Sequence, residues 1–473
     1  MGTHGRRRTR STPRAMSAPA PTLDSVTTIN PDGSRRFIHP ADVSGPWTRW
    51  RGAFGLLILA VYVCLPWITI NGFPAVFLDL AHRQFHFFGL TFVTQDLWVA
   101  FFLISGLGFT LFYLTALAGR IWCGWACPQT VYLDFIRRLE RWLEGDAPAR
   151  ERLDRMSWTG EKLRKRGTKY VLFFLFAALL AHVFLTYYVS PAGLKAMMTG
   201  PPTRHWGSFV FVFLMTAAMW FDFVWFREQF CIVLCPYGRL QSALIDNDSV
   251  VIGYDVERGE PRGKKGTEGA GDCIDCRRCV QVCPTGIDIR QGLQMECIGC
   301  AACVDACDTI MTKLERPRGL VRYDSTNGFA GKARRILRPR ILLYTALMLL
   351  GAAAMTYGLS TLSPITVSCT RVQGVPFVLD GATVHNEFLV RVLNKRNQPQ
   401  RFTVTVQGGP PGLTWSGLQD GLEVRALGEE MRPIVLTAPR ATARGTFPLE
   451  VLVTAPNGRD VVKKKVSFVG PGN

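Results

Sequence analysis

Histidine is the first scarcity of this chain, 7 in 473 residues. Only His182 falls inside a long apolar stretch, so the paired axial histidines of a membrane haem are missing and a cytochrome b architecture is excluded. No G-x-G-x-x-G opens a helix after a strand, which leaves the chain without a dinucleotide fingerprint. Its electrons then have to come from another protein or from a quinol. Acidic residues are also few: 36 against 55 Lys and Arg, a formal net charge of +19. That balance raises nucleic acid as a partner, but the charge is not spread as a binding face. It collects in an N-terminal arm (Arg6, Arg7, Arg8, Arg10, Arg14), at Arg137, Arg138, Arg141 and on from Arg150 to Arg166, and from Lys313 to Arg340, each beside an apolar block. Positive charge flanking apolar blocks is the positive-inside pattern of a membrane protein, with no nucleic-acid partner expected. A secretory signal would place its apolar core near the start. The first apolar block lies behind the polar arm 1–51, which predicts an uncleaved anchor.

Five blocks reach the roughly 20 residues that a bilayer crossing needs: about Gly52–Ile70, Trp98–Leu117, Val171–Val189, Ser208–Trp225 and Ile341–Leu362. Asp222 interrupts the fourth, for which a buried core helix is the alternative. The Lys/Arg bias predicts a cytoplasmic N-terminus, an external segment Asn71–Leu97, a cytoplasmic basic segment Gly119–Tyr170, an external Pro191–Gly207, a cytoplasmic Phe226–Arg340 and an external C-terminus. The bilayer itself is therefore the first expected partner.

Of the 14 cysteines, eight form one ladder written twice. The first copy is Cys273-x2-Cys276-x2-Cys279-x3-Cys283, followed by Pro284. The second is Cys297-x2-Cys300-x2-Cys303-x3-Cys307. This is the spacing of a bacterial-type ferredoxin with two [4Fe–4S] clusters, in which the fourth thiolate of each ladder crosses to the other cube. The expected ligand sets are Cys273, Cys276, Cys279 and Cys307 for one cluster, and Cys297, Cys300, Cys303 and Cys283 for the other. Structural zinc and disulfides are the competing readings, but zinc usually takes paired C-x2-C knuckles and not two four-cysteine ladders. Free thiols and iron–sulfur ligands place this segment in a reducing compartment.

Two further pairs repeat a shorter motif, C-x3-C-P: Cys123 and Cys127 before Pro128, and Cys231 and Cys235 before Pro236. Each follows a pair of apolar blocks, which reads as an internal duplication. On a helix, residues i and i+4 share a face. Proline after the second cysteine disfavours helix there and lets that thiol turn toward the first. Soft thiolates so placed suit Cu(I) or dithiol–disulfide cycling, against the plainer reading of small buried residues. Cys123, Cys127, Cys231 and Cys235 are therefore candidate catalytic and copper-binding thiols. His82 and His86, four apart, are a weaker candidate metal clasp. Cys64 reads as a packing residue, and Cys369 as a lone thiol.

After the fifth block the pattern changes. Short runs rich in β-formers (Phe388–Val392, Phe402–Val406, Leu422–Arg425, Ile434–Leu436, Leu449–Val453, Val461–Phe468) are separated by Gly/Pro turns, as in an immunoglobulin-like sandwich. The expected fold is multi-domain. It comprises the arm 1–51 and a four-span membrane domain over 52–235. A cytoplasmic segment 236–340 follows, with an α+β dicluster ferredoxin at about 265–315. A fifth transmembrane helix at 341–362 and an all-β domain at 363–473 complete it.

The ordered motifs are similar to those of the cytochrome c oxidase accessory proteins called CcoG, FixG or Rdx. The carriers are Phe88-Gly89-Leu90-Thr91-Phe92 with Gln95-Asp96, Trp122-Cys123-Gly124 to Ala126-Cys127-Pro128-Gln129-Thr130, and Arg227-Glu228-Gln229 before Cys231. Further matches are Cys235-Pro236-Tyr237, Glu257-Arg258-Gly259-Glu260-Pro261-Arg262-Gly263, the two stretches around Cys273 and Cys283, Pro317-Arg318-Gly319-Leu320 and Leu337-Arg338-Pro339-Arg340. The resemblance implies a bacterial inner-membrane iron–sulfur oxidoreductase that reduces Cu(II) to Cu(I) for assembly of a cbb-type haem–copper oxidase. It also implies copper ions, oxidase subunits or copper chaperones, and an electron donor as partners. Two other readings stand beside it: an electron conduit of the polyferredoxin type without copper chemistry, and a copper-binding assembly scaffold.

Overall fold

The computed structural model describes residues 28, 32 and 35–472 apart from 94, 95, 362 and 459. Arg6, Arg7, Arg8, Arg10, Arg14 and Gln95 lie outside the described residues. Among the described residues, five helices are long and apolar enough to cross a membrane, within Pro46–Trp67, Trp98–Ala118, Gly160–Thr199, Pro202–Phe226 and Pro339–Ser360. The first ends earlier than its apolar run suggests. Leu65–Trp67 is a 3-10 turn, and Thr69–Ile70 pairs as a strand with Phe73–Pro74. The third is the longest. It breaks at Ser190, whose backbone is non-helical, immediately before Pro191, as expected where proline removes a donor and forces the preceding residue out of the helical region. Asp222 lies at the end of the fourth and opens a π-helical turn, Asp222–Phe226.

The chain forms two compact units. The first contains residues up to Val61, Gly108–Ala181 and Gly207–Leu347. Its ferredoxin portion reaches beyond the ladders, because Val251–Tyr254 pairs antiparallel with Val321–Asp324. Ile252, Ile289, Val304, Met311 and Leu320 fill the core beneath that pair. Beside it, the amphipathic helix Pro128–Glu144 starts on Pro128 in its first turn and stops at Gly145, which has φ 90°. That is the proline-first, glycine-last signature of an isolated helix.

The second unit contains Tyr62–Leu107, His182–Trp206 and Met348–Asn473. Among the described residues, the sandwich has nine strands. One sheet runs Thr414–Ser416, Glu429–Pro439, Thr383–Asn394, Ile365–Arg371, with Val378–Asp380 also on Thr383–Asn394. The other runs Leu422–Val424, Gln400–Gly408, Thr446–Thr454, Val461–Val469. Alternate residues of Thr383–Asn394 are buried along most of its length, the period-2 pattern of a strand with one face in a core. Phe388, Phe402 and Phe468 fill that core. The segment read only as an external loop also folds, as a three-stranded sheet of Val76–Asp79, Gln84–Phe87 and Leu90–Val93.

Candidate metal centres and the thiol turns beside them

The two ladders fold alike. In each, the residues flanking the second cysteine have positive φ: Asp275 and Arg277 around Cys276 (52° and 54°), Gly299 and Ala301 around Cys300 (70° and 61°). Left-handed backbone at Asp, Arg and Ala costs on the order of 1–2 kcal/mol per residue. Alternating handedness turns successive N–H groups inward, the nest that receives anions and iron–sulfur centres. The strain is thus spent on aiming donors at the negatively charged sulfurs of a bound centre. Helices Arg278–Gln281 and Ala302–Lys313 begin directly after these residues.

The thiols of the two ladders act on one another across the copies. Cys307 is pushed up to about 12 by burial and by the charges of Cys279, Asp308, Cys273 and Cys276. Cys303 is raised by burial, then by Cys300, Cys297, Cys283 and Cys279. A small cavity has Cys283, Cys297, Cys300 and Cys303 in its wall, with Ile252, Ile287 and Ile289. Cys279 also reaches it. Its charged ligands could only be sulfur, since no carboxylate or histidine lines it. Burial likewise holds Cys297 at about 12, so four bare thiolates would be unstable here without a cationic guest. Among the described residues, no three His, Cys, Asp or Glu side chains converge as a single ion requires. An all-thiol, apolar, nest-bearing cavity fits a [4Fe–4S] cube and not a mononuclear zinc.

The second motif is duplicated in geometry as well as in letters. The N–H of Cys127 bonds the Trp122 carbonyl at 2.9 Å, and that of Cys235 bonds the Phe230 carbonyl at 2.9 Å. Both are wide i→i+5 closures of the π type, which recur at functional sites. Cys127 (φ −63°, ψ 126°) and Cys235 (φ −69°, ψ 108°) are both extended, and each caps the helix that opens on the next proline. Thr130 donates to the Cys123 carbonyl at 2.6 Å. At the matching place in the second copy, Gly238 lies close under the Cys231 carbonyl.

The four thiols feel one another's charge. Cys231 is raised by burial and by Cys127, Cys123 and Cys235. Cys123 is raised to about 11 by burial and Cys127, while Arg120 and Gln241 pull it back. Its Sγ donates to Gln241 Oε1 at 3.3 Å. Gln241 is fully buried, and its Nε2 has no partner. An amide turned about its axis would offer that donor to a thiolate or its ligand, so the orphaned group fits a guest at this place.

These turns touch the ladders. Cys123 and Cys303 pack against the buried cluster of Val282, Ile298, Cys300, Ala302 and Ala306. A Cβ added to Gly124 would lie 2.7 Å from the Gly299 carbonyl carbon and oxygen and from the Ile298 oxygen. Glycine is therefore required for the two loops to meet backbone to backbone. Trp125 Nε1 donates to the Tyr323 hydroxyl at 3.2 Å, and Tyr323 donates to the Gly299 carbonyl at 2.7 Å.

A buried ion network braces the turns. Arg227 bonds Glu140 Oε2 at 2.8 Å, and Arg150 and Lys169 lie at 3.6 Å from the same carboxylate. Glu144 takes Lys169 at 2.8 Å and Arg166 at 3.3 Å. Glu228 meets Arg35 and Arg137. Gln129 Nε2 bonds both oxygens of Asp222, at 3.0 and 2.8 Å. The segment before Cys231 is thus clamped to the helix after Cys127. Sequence reading quoted Arg227-Glu228-Gln229 but missed the network, whose central pair lies 87 residues apart.

Other candidates separate. His86 is buried, stacked on Phe73 at 4.0 Å, with Nδ1 on Thr91, whereas His82 is exposed and pairs with Asp79 at 2.7 Å. They form no clasp, because a residue on the inner face of a strand and one in the preceding turn do not share a side. Cys64 is exposed rather than packed. Cys369 is half-buried within the strand Ile365–Arg371.

Duplicated cysteine ladders, five membrane-capable helices and a terminal β-sandwich define a multi-pass membrane iron–sulfur oxidoreductase. The comparisons agree. Residues 226–326 match a 4Fe-4S dicluster domain, residues 98–145 a 4Fe-4S binding domain, and residues 355–471 the IG-like fold at the C-terminus of FixG. Protein RdxA of Cereibacter sphaeroides is 34% identical, over 92% of this chain and 97% of its own. The nitrogen fixation protein FixG of Rhizobium meliloti is 32% identical over 90% and 87%, and RdxB of C. sphaeroides 37% over 79% and 82%. The chain belongs to the FixG/Rdx family.

Proposed function

We propose that this oxidoreductase reduces Cu(II) to Cu(I) for a copper centre of a cbb-type oxidase, in a bacterial inner membrane with the ladders inside and the sandwich outside. The observation that carries the reading is the packing of Cys123 into one core with Cys300 and Cys303. A soft two-thiol site and an iron–sulfur ladder share a wall, with no side chain between Gly124 and Gly299. Cys273, Cys276, Cys279 and Cys307 would hold one [4Fe–4S] cluster, and Cys297, Cys300, Cys303 and Cys283 the other. When bound, these clusters supply electrons singly, as Cu(II) needs. Cys123, Cys127, Cys231 and Cys235 then select the product, since thiolates favour Cu(I). Gln241 offers its spare amide donor to the liganded sulfur, and Arg120 lends positive charge to Cys123.

The test is anaerobic reduction of Cu(II) by the purified protein with a chemical reductant, followed with a Cu(I)-specific chelator. Replacing Cys231 and Cys235 by Ser should leave iron content near normal and suppress Cu(I) formation, because hydroxyls are hard, weak copper ligands. Unchanged turnover with all four of these cysteines replaced by Ser would remove copper chemistry from the site and favour an electron conduit.

A further inference from the structure

On another side of the same ladder lies an open cavity that the copper reading does not use. Ala118, at the foot of a membrane-capable helix, borders it, and Cys297 forms part of its wall. Most of the remaining lining is aliphatic, from Ile121, Ile245, Val251 and Met295. Three polar groups reach it: Arg120, Gln294 and Tyr323.

The cavity is built, not incidental. Gly119 has φ 54°, and a Cβ there would meet the Val250 carbonyl oxygen at 2.6 Å. A Cβ on Gly299 would meet the Arg120 carbonyl oxygen at 3.0 Å. The Gly119–Arg120 backbone is therefore wedged between two walls. Arg120 spends one donor on the Gly238 carbonyl at 2.7 Å and has four more N–H groups by its chemistry. Gln294 donates to the Asp288 carbonyl, leaving its own oxygen to accept. On the loop between Gly292 and Cys297, two lining residues, Leu293 and Met295, are 53% and 49% exposed. Large apolar side chains held out beside the end of a membrane helix are suited to lipid, not to water.

We propose that this cavity binds the ring of an isoprenoid quinol entering from the bilayer, and is the electron-entry site of the protein. An apolar slot with a few convergent polar groups is the usual form of a small-molecule site. A planar ring with an oxygen at each end matches an aliphatic cleft that offers donors from Arg120 and an acceptor from Gln294. A nucleotide-borne donor would need a phosphate cradle, which this lining lacks. The balance also closes. A quinol becomes a quinone by losing two electrons and two protons. The protons leave to water at the mouth of the cavity, and the two electrons match the one-electron capacities of the two [4Fe–4S] centres. The inference does not depend on copper.

The experiment is photolabelling of the full-length protein in lipid nanodiscs, under anaerobic conditions and without copper, using a short-chain azidobenzoquinone. Label should concentrate in the peptides containing Ala118–Ile121 and Leu293–Cys297 and be displaced by unlabelled quinone. Leu293→Glu places a charge and its hydration shell across the apolar mouth, competes for the Arg120 donors, and should cut labelling about tenfold or more. Iron content, unchanged in that variant, shows that the fold survives. A second readout mixes reduced short-chain quinol with oxidised protein and follows the paramagnetic signal of the reduced centres, which should slow in parallel. Label spread along the spans, or undiminished in Leu293→Glu, overturns the proposal. Failure of copper turnover with normal quinone labelling overturns the preceding reading and leaves this one standing.

Discussion

Replacing Glu140 by Gln tests whether the buried ion network holds the two thiol turns together. The substitution keeps the shape and removes one charge from among Arg227, Arg150 and Lys169. Burial alone would raise the Glu140 carboxyl, yet Arg227, Lys169 and Arg150 bring it from 4.5 down to about 2. At about 1.4 kcal/mol per tenfold change in acidity, the network favours the ionised form by about 3 kcal/mol. Breaking one partner out of a buried pair typically costs about 3–5 kcal/mol, because the survivors stay buried. Amide hydrogen exchange along Pro128–Glu144 at neutral pH is the suitable assay, since it reads local opening in a protein that need not unfold in one step. Exchange in Glu140→Gln should be roughly a hundredfold faster, the equivalent of about 3 kcal/mol. The folded-state carboxyl is the stronger acid, so its contribution is complete above pH 4.5 and fades as pH falls toward 2. Protection of this helix in the native protein should therefore weaken over that interval, and the variant should lack the effect. Less than a threefold change in the variant would mean that packing, not charge, holds the helix.

Three further outcomes follow from the geometry. Cys307→Ser should damage the centre grouped around Cys273, Cys276 and Cys279 and spare the other, so that the native total of about eight iron per chain falls toward half; loss confined to the centre of Cys297, Cys300 and Cys303 would refute the crossed sorting. Gly124→Ala forces a methyl to within 2.7 Å of the Gly299 and Ile298 backbone, an overpacking of about 1–3 kcal/mol; Cu(I) formation should drop while iron stays constant, and unchanged turnover would deny the contact a role. Alkaline phosphatase fused after Asn473 should be active and a fusion after Asp308 inactive, as the Lys/Arg bias requires; the reverse would move the ladders to the oxidising side.

The ladders and the membrane helices were legible because each depends on spacing within a short window. Cys273–Cys307 announces its own ligand geometry, and an apolar run announces its length. The duplicated C-x3-C-P was legible as a repeat, and the proline explains why Cys127 and Cys235 are extended. The i→i+5 closure was not readable, since no residue preference marks a π turn. Six sandwich strands were recognisable from their β-formers. Val378–Asp380 and Thr414–Ser416 have three residues each, too few to show a period. Ile365–Arg371 does alternate, but it follows the last apolar helix so closely that Cys369 read as isolated. The salt network and the Gly124–Gly299 contact arise only when distant segments meet, and no local pattern encodes them.

The ion network also sets a timetable for synthesis. A ribosome adding about 5–20 residues per second exposes Arg227 roughly 4–17 s after Glu140, given the 87 residues between them. A carboxylate that will be buried must wait that long for its strongest partner. Arg150 and Lys169 emerge first and can hold it in the meantime, and Lys169 is then positioned at the foot of the third membrane helix. The pair that closes the clamp therefore arrives with the fourth span, just ahead of Cys231. The nascent chain completes its second thiol turn only after the first has been anchored, so insertion order and site assembly run in the same direction.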